Sequence, residues 1–298
     1  MSAATGARAG SHLLTVAHVA TVDVTLRFLL FSQMKAAQRA GFQVAAVSSP
    51  GPWTADLERE GIRHFPIAAL GRRWDPLADL RALGELTRLF RRERFDVVHT
   101  HAPKTGVLGR IAARLASTPG IVNTVHGLYG IEPDRPARRW FYLSLERVAA
   151  SGSDFELCQS REDLELLRRL RIVRPDRFAY LGNGVDLRRF DPAAVPDDAV
   201  QALRRDLDIP AEAVVVGTVG RLVLEKGYAE FLDAAERVLR ARPQVRMIVV
   251  GPADEKKKDA LPPALIRRAE AAGVRFLGMR TDMPALYRLM DLFVLASH

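Results

Sequence analysis

Cysteine is almost absent from this 298-residue chain; one thiol, Cys158, excludes an internal disulfide framework and fits a reducing compartment. Long apolar runs are missing too, none approaching the ~20 residues that span a bilayer. Residues 1–11 carry one Arg and no apolar core, so they are no secretory signal and read as a short disordered leader. No Gly-x-x-x-x-Gly-Lys-[Ser/Thr] occurs, which excludes a P-loop enzyme. No Gly-x-Gly-x-x-Gly opens a helix after the first strand, which weighs against a nicotinamide or flavin site. A Gly-x-Ser-x-Gly nucleophile elbow is likewise absent. So are repeats of solenoid length and low-complexity tracts.

What remains is a globular composition, 48% hydrophobic and 27% charged, in a chain long enough for two α/β domains. Its charge is unevenly spread. Residues 1–195 hold 28 Lys and Arg against 20 Asp and Glu, whereas residues 196–298 hold 16 against 15. An excess on the first half suggests an anionic partner there: a membrane surface, a lipid phosphate or a nucleic acid. Abundant arginine and alanine beside scarce lysine offer a competing account, codon-composition bias. Nucleic acid is disfavoured, because the arginines are scattered along amphipathic helices with no recognition motif or aromatic platform.

Strand-like apolar runs alternate with helical periodicity along the chain. Strands are expected at 13–20, 42–47, 62–67, 95–99, 121–125, 155–159 and 177–181, then at 214–219, 245–250, 274–277 and 292–295. Asp75-Pro76 supplies a cap and first-turn proline for a helix, and Ser160 with Asp163 opens another. This alternation predicts parallel sheets covered on both faces, in two doubly wound Rossmann-like domains facing across a cleft. We place them at 12–190 and 212–298, joined by a Pro-bearing linker, 191–211.

Open parallel sheets bind ligands beyond the carboxyl ends of their strands. Thr21, Asp23, His99, His101, His126, Asn183, Asp186, Gly220, Arg221, Gly251, Gly278, Met279, Ser297 and His298 fall at those ends. The stretch Val214–Lys226 stands out: a β-branched strand runs into Gly217-Thr218-Val219-Gly220-Arg221, with Lys226 just before a helix. Two cations beside a helix N-terminus suit a diphosphate, and equally suit two solvated charges. His99-x-His101 with His126 could pair on a metal. With no carboxylate or thiol at metal spacing, structural or acceptor-contacting histidines are favoured and no metal site is expected. Cys158 reads as inert packing, and Lys256-Lys257-Lys258 among Asp254, Glu255 and Asp259 as a solvated, mobile loop.

Five segments in order carry a resemblance: Val97-Val98-His99-Thr100-His101; Thr124-Val125-His126-Gly127; Leu181-Gly182-Asn183-Gly184-Val185-Asp186 with Phe190; Gly220-Arg221-Leu222 to Glu225-Lys226-Gly227; and Phe276-Leu277-Gly278 with Met290-Asp291 and Val294-Leu295-Ala296-Ser297. Together they resemble the family 4 glycosyltransferases of GT-B fold, from about residue 13 to the last. The resemblance implies a retaining hexosyl transferase of cell-surface polysaccharide or glycoconjugate synthesis. It would use a nucleotide-sugar (UDP- or GDP-sugar) as co-substrate, with no cofactor and no metal. Arg221 and Lys226 would hold the diphosphate, Gly251 and Gly278-Met279 would border the base, and His126 would sit near the transferred sugar. The first domain would receive a glycan or polyprenyl phosphate-linked sugar acceptor. That places the enzyme in the cytoplasm, peripheral on an anionic membrane surface.

Two departures qualify this. Where the family has a glycine-rich loop after the first strand, this chain has Ala20-Thr21-Val22-Asp23, a more polar turn that lets a phosphate approach less closely. The chain also stops at Ser297-His298, before the family's segment with two donor-binding glutamates. Taken alone, these residues are expected to be a C-terminally truncated chain that turns over donor poorly, which keeps a non-catalytic nucleotide-sugar- or membrane-binding fragment as the alternative.

Overall fold

The computed structural model describes residues 13–71, 74–101, 103–128, 136–253 and 257–297. The expected leader, Asp254–Lys256 of the expected charged loop, and His298 lie outside them. The chain divides into two compact units, Met1–Asn183 and Gly184–His298.

Among the described residues the first unit holds seven strands: β1 (Thr15–Val22), β2 (Gln43–Ser49), β3 (Arg63–Pro66), β4 (Val97–His101), β5 (Gly120–Val125), β6 (Phe155–Cys158) and β7 (Phe178–Tyr180). They form one sheet in the order β3-β2-β1-β4-β5-β6-β7. Every pairing is parallel, as buried β-branched strands alternating with helices require. Strand direction reverses its progression between β1 and β4, so the crevice at a doubly wound sheet's switch point opens there. Helices α1 (Asp23–Thr25), α2 (Phe31–Arg39), α3 (Thr54–Arg59), α4 (Pro76–Glu93), α5 (Pro103–Leu115), α6 (Pro136–Ala150) and α7 (Arg161–Arg169) cover the sheet. A π segment, Leu26–Leu30, joins the first two. Alternation along β1 sends Ala17 and Val19 into one core with Leu86, Phe90 and Phe95, and Ala20 into another with Leu26, Leu30 and Met34. Both caps form as expected: Asp75 accepts from the Leu77 and Ala78 amides at 3.1 Å, and Ser160 Oγ accepts from the Asp163 amide at 3.2 Å.

The second unit carries α8 (Asp197–Asp206), β8 (Val214–Val219), α9 (Tyr228–Ala241), β9 (Val245–Val250), α10 (Pro263–Ala271), β10 (Val274–Phe276), α11 (Met283–Leu289) and β11 (Leu292–Phe293). Its sheet is parallel in the order β10-β9-β8-β11. Val216, Met247 and Val249 face one core, and Val215, Ile248 and Val250 the other. The segment 191–211 differs from the linker expected of it. It holds α8, whose Leu203, followed by Leu207 and Ile209, packs into the second core with Ile248, Leu286 and Leu289. The boundary between units falls earlier, after Asn183.

Candidate active site

In the first unit, parallel register decides which side chains meet. His18 on β1 stands opposite His99 on β4, and His101 opposite Thr124 on β5. A two-residue repeat puts His99 and His101 on the same face of β4. Four imidazoles therefore converge. His18 Nδ1 lies 3.0 Å from His101 Nε2, His101 Nδ1 lies 3.0 Å from His126 Nε2, and His126 Nδ1 lies 2.8 Å from Gln159 Oε1. His99 Nε2 turns to Thr124 Oγ1 at 2.7 Å. Burial holds His18 down at about 4 and, with the neighbouring imidazoles, keeps His99 and His101 well below the usual range. His126 is lowered by burial as well, against the opposing bond to Gln159. The cluster is neutral at physiological pH. His126, expected to orient the transferred sugar, already spends both ring nitrogens on the protein.

Thr21 and Asp23 differ from the ligand-facing pair expected of them. Both are buried, and β1 runs through Thr21 to Val22. The Thr21 carbonyl accepts from Ser49 Oγ at 2.9 Å, and Asp23 accepts from the amides of Val24 at 2.8 Å and Trp53 at 2.7 Å. Asp23 thus ties down the loop after β2, whose Gly51 has no room for a Cβ against the carboxylate. His101 is fully buried, and its carbonyl accepts from Thr105 Oγ1. Asn183 is exposed at the end of this unit. Cys158 is buried as expected, and burial pushes its thiol up to about 12.

The sequence reading missed a buried ionic group beside the histidines. Arg110, 1% exposed, donates to Glu156 at 2.6 Å and Glu146 at 2.8 Å, while Asn123 donates to the second Glu156 oxygen at 2.7 Å. Burial works against the charge on Arg110, but the two glutamates outweigh it and hold the guanidinium above its ordinary value. For Glu156 burial prevails and raises the carboxyl, although Arg110 pulls the other way. A partly open cavity lined by Trp74, Arg110, His126, Tyr142 and Glu146 lies beside these groups. Lys104 is buried at the start of α5 in an ion pair with Asp79.

In the second unit, the ends of β8, β9 and β10 bring Gly220, Gly251 and Gly278 together. Gly251 donates to the Gly278 carbonyl at 2.8 Å, and Gly220 to the Val250 carbonyl at 2.9 Å. Gly251 has φ +142°, and a Cβ there would overlap the Gly220 carbonyl, so only glycine lets these turns close. Tyr228 Oη donates to Gly220 O at 2.9 Å and seats α9 beneath the turn. Arg221 is exposed, and Lys226 ends a short 3-10 turn (Leu224–Lys226) just before α9. Glu225 sits among these cations, 3.4 Å from Arg221 Nη2 and 3.1 Å from Lys257 Nζ. Lys257 thus belongs to an ion pair rather than to a purely solvated loop. Met279 is exposed beyond β10. The structure gathers Gly220, Arg221, Lys226 and Gly251 where the sequence placed them.

Parallel units with polar side chains and glycines at the carboxyl ends of their strands define a doubly wound, Rossmann-like α/β class, in which ligands bind at those ends. Comparison with known proteins narrows it. Residues 30–184 match the family described as glycosyl transferase 4-like domain, and residues 213–298 the family described as glycosyl transferases group 1. The chain belongs to the family 4 glycosyltransferases of GT-B fold. It is 33% identical over 253 residues to the UDP-Gal:alpha-D-GlcNAc-diphosphoundecaprenol alpha-1,3-galactosyltransferase of Escherichia coli, covering 83% of this chain and 63% of that protein. A Campylobacter jejuni relative, N,N'-diacetylbacillosaminyl-diphospho-undecaprenol alpha-1,3-N-acetylgalactosaminyltransferase, is 23% identical over 228 residues, 75% of this chain and 58% of its own. The chain thus spans less than two thirds of the length of these relatives. Anabaena HepE, solved with UDP and glucose, superposes with TM-score 0.72 at 19% identity, covering 95% of this chain and 74% of that one. A Rickettsia africae glycosyltransferase gives 0.73 at 19%, covering 96% and 73%.

Proposed function

We propose that the protein moves a hexosyl group from a UDP- or GDP-sugar to a glycan or polyprenyl phosphate-linked acceptor in cell-surface glycoconjugate synthesis. The transfer keeps the anomeric configuration and uses no metal ion or other cofactor. What carries the reading is the turn from β8 into α9. As the bond between the anomeric carbon and the diphosphate breaks, negative charge collects on the leaving nucleoside diphosphate. Arg221 offers a planar fork to it, Lys226 a point charge, and α9 begins two residues after Lys226, so the positive end of its dipole adds to them. Gly278, with open space where a Cβ would stand, leaves room for the nucleoside beside the closed Gly220–Gly251 turn, with Met279 at its edge. The acceptor hydroxyl oxygen then bonds to the anomeric carbon on the face the diphosphate leaves, and its proton passes to the departing diphosphate. The named relatives support this reading, since one uses UDP-Gal and both act on undecaprenol-diphosphate-linked sugars.

Titration calorimetry with UDP and GDP tests the seat. One nucleotide should bind, Arg221→Ala should weaken it at least about tenfold, the scale of a lost charge-assisted contact, and Glu225→Gln should tighten it by removing a competing carboxylate. Absence of binding by either nucleotide would remove the seat. Where catalysis is measured, Arg221→Ala should lower turnover by about 100- to 1,000-fold, as loss of one transition-state charge partner does.

We also infer that the acceptor is met at an anionic bilayer, on the cytoplasmic side. Helix α6 leaves Trp140, Phe141 and Val148 exposed with Arg139 and Arg147 on the same helix. Apolar rings beside basic residues are how interfacial helices hold a charged surface. No helix among the described residues is long and apolar enough to cross a membrane.

A further inference from the structure

The four-imidazole cluster in the first unit has a definite direction. The Gln159 carboxamide oxygen can only accept, so His126 Nδ1, 2.8 Å away, carries a hydrogen. In a neutral ring that leaves His126 Nε2 as an acceptor, and its partner His101 Nδ1 must donate. His101 Nε2 in turn accepts from His18 Nδ1. Three Nδ1–H tautomers thus run head to tail from the buried end at His18 to Gln159. The His18 and His101 rings are only 16° from coplanar at a centroid separation of 5.3 Å, so the bond lies near the lone-pair direction. Both ring nitrogens of His101 and of His126 are occupied.

A metal site is the competing use of these side chains, since one nitrogen each from His18, His99 and His101 lies within 4.8 Å of the others. The distances favour the chain of hydrogen bonds. Two nitrogens on one tetrahedral zinc, each about 2.0–2.1 Å from it, stand about 3.3 Å apart with no proton between them. His18 Nδ1 and His101 Nε2 stand at 3.0 Å, closer than two nitrogens on one zinc and within hydrogen-bond distance of each other.

We propose that Gln159, His101 and His18 are positioning residues that lock His126 as its neutral Nδ1–H tautomer with both nitrogens engaged. The ring then meets a ligand as an uncharged surface and serves as neither acid nor base. This suits sugar chemistry in general: an imidazolium would repel an anomeric carbon that gains positive charge, and a free imidazole would activate water toward hydrolysis. The role at the sugar rests on the transferase reading above; the tautomer lock does not.

Long-range ¹H–¹⁵N spectra of protein labelled at histidine read the tautomers directly, without ligand or turnover. At pH 7 His18, His101 and His126 should each show Nδ1–H alone. Gln159→Leu should end that state at His126 and carry the change to His101 and His18, which Gln159 does not touch. A merely structural contact would not move His18. Gln159→Glu keeps the accepting oxygen and should preserve all three tautomers, which separates the lock from general damage. Nε2–H or imidazolium at His126 in the wild type, or unchanged tautomers at His101 and His18 in Gln159→Leu, would overturn the proposal. So would stoichiometric Zn²⁺ uptake that shifts His18, His99 and His101 together. Intact tautomers with no effect on glycosyl transfer would leave the lock standing and remove only its role at the sugar.

Discussion

Acid should loosen the first unit well before its carboxylates titrate. His18 is held neutral down to about 4, against 6.5 for an unburied imidazole, so between those values the unfolded chain takes up a proton the native state refuses. Stability rises with pH wherever the unfolded state binds more protons, so this contribution is whole above 6.5 and lost as pH falls toward 4. At about 1.4 kcal/mol per pH unit the window is worth about 3 kcal/mol, a large share of the 5–15 kcal/mol typical of a domain. His99 and His101 are shifted the same way and act in the same window. Glu156 opposes them: its carboxyl is raised, so its contribution is present at low pH and fades as pH rises through the folded value. Comparing wild type with His18→Asn cancels Glu156. All three tryptophans, Trp53, Trp74 and Trp140, lie in the first unit, so urea unfolding followed by tryptophan fluorescence reports that unit alone. Between pH 7 and 4.5 the wild type should lose on the order of 3 kcal/mol more than His18→Asn. Parallel pH curves for the two proteins would refute the reasoning, because burial of a neutral His18 would then contribute nothing.

Arg110→Met strands two glutamates beside each other and should cost about 3–5 kcal/mol in the same assay; adding Glu146→Gln and Glu156→Gln should return most of it, and an additive triple mutant would contradict the triad. Gly251→Ala forces a Cβ against the Gly220 carbonyl at a φ that side chains rarely adopt. It should destabilise the second unit by at least about 2 kcal/mol, read as a lowered circular-dichroism melt, and an unchanged melt would show that these turns are looser than described. Trp140→Ala with Arg139→Ala and Arg147→Ala should abolish sedimentation with vesicles rich in anionic lipid while leaving nucleotide binding intact; undiminished sedimentation would move the membrane contact elsewhere.

The local parts of this fold were legible. β8 and β9 fall where their β-branched runs end, and the Asp75 and Ser160 caps form because both partners lie within three residues. What the sequence hid was pairing over distance. His18 sits inside an apolar run and looks like any strand residue; only the placement of β1 beside β4 brings it to His101, 83 residues later. Asp23 reads as an exposed turn residue until the Trp53 amide, 30 residues on, claims its carboxylate. Helix α8 did leave a signal, with Val200, Leu203 and Leu207 at helical spacing, but flanking prolines and aspartates gave the segment the look of a linker.

The two units handle polarity in opposite ways, and this separates residues of stability from the residues proposed to bind. In the first, polar groups near the strand ends are bonded to one another: the histidine chain, Arg110 with its glutamates, Lys104 with Asp79, Asp23 with the Trp53 amide. Each set has at least one buried member, so removing its partner leaves an uncompensated group in a poor solvent, and the penalty falls on folding. In the second, Arg221 and Glu225 are both more than two-fifths exposed at their side chains and 3.4 Å apart, a pairing worth little against water. That pair contributes little to the fold, so a diphosphate competing with Glu225 would displace a weak partner. Charge reversals in the first unit should therefore appear in unfolding curves and those at Arg221 or Lys226 in nucleotide affinity. A substitution at Arg221 that lowered the melt as much as one at Arg110 would mean the turn is a structural brace rather than a diphosphate seat.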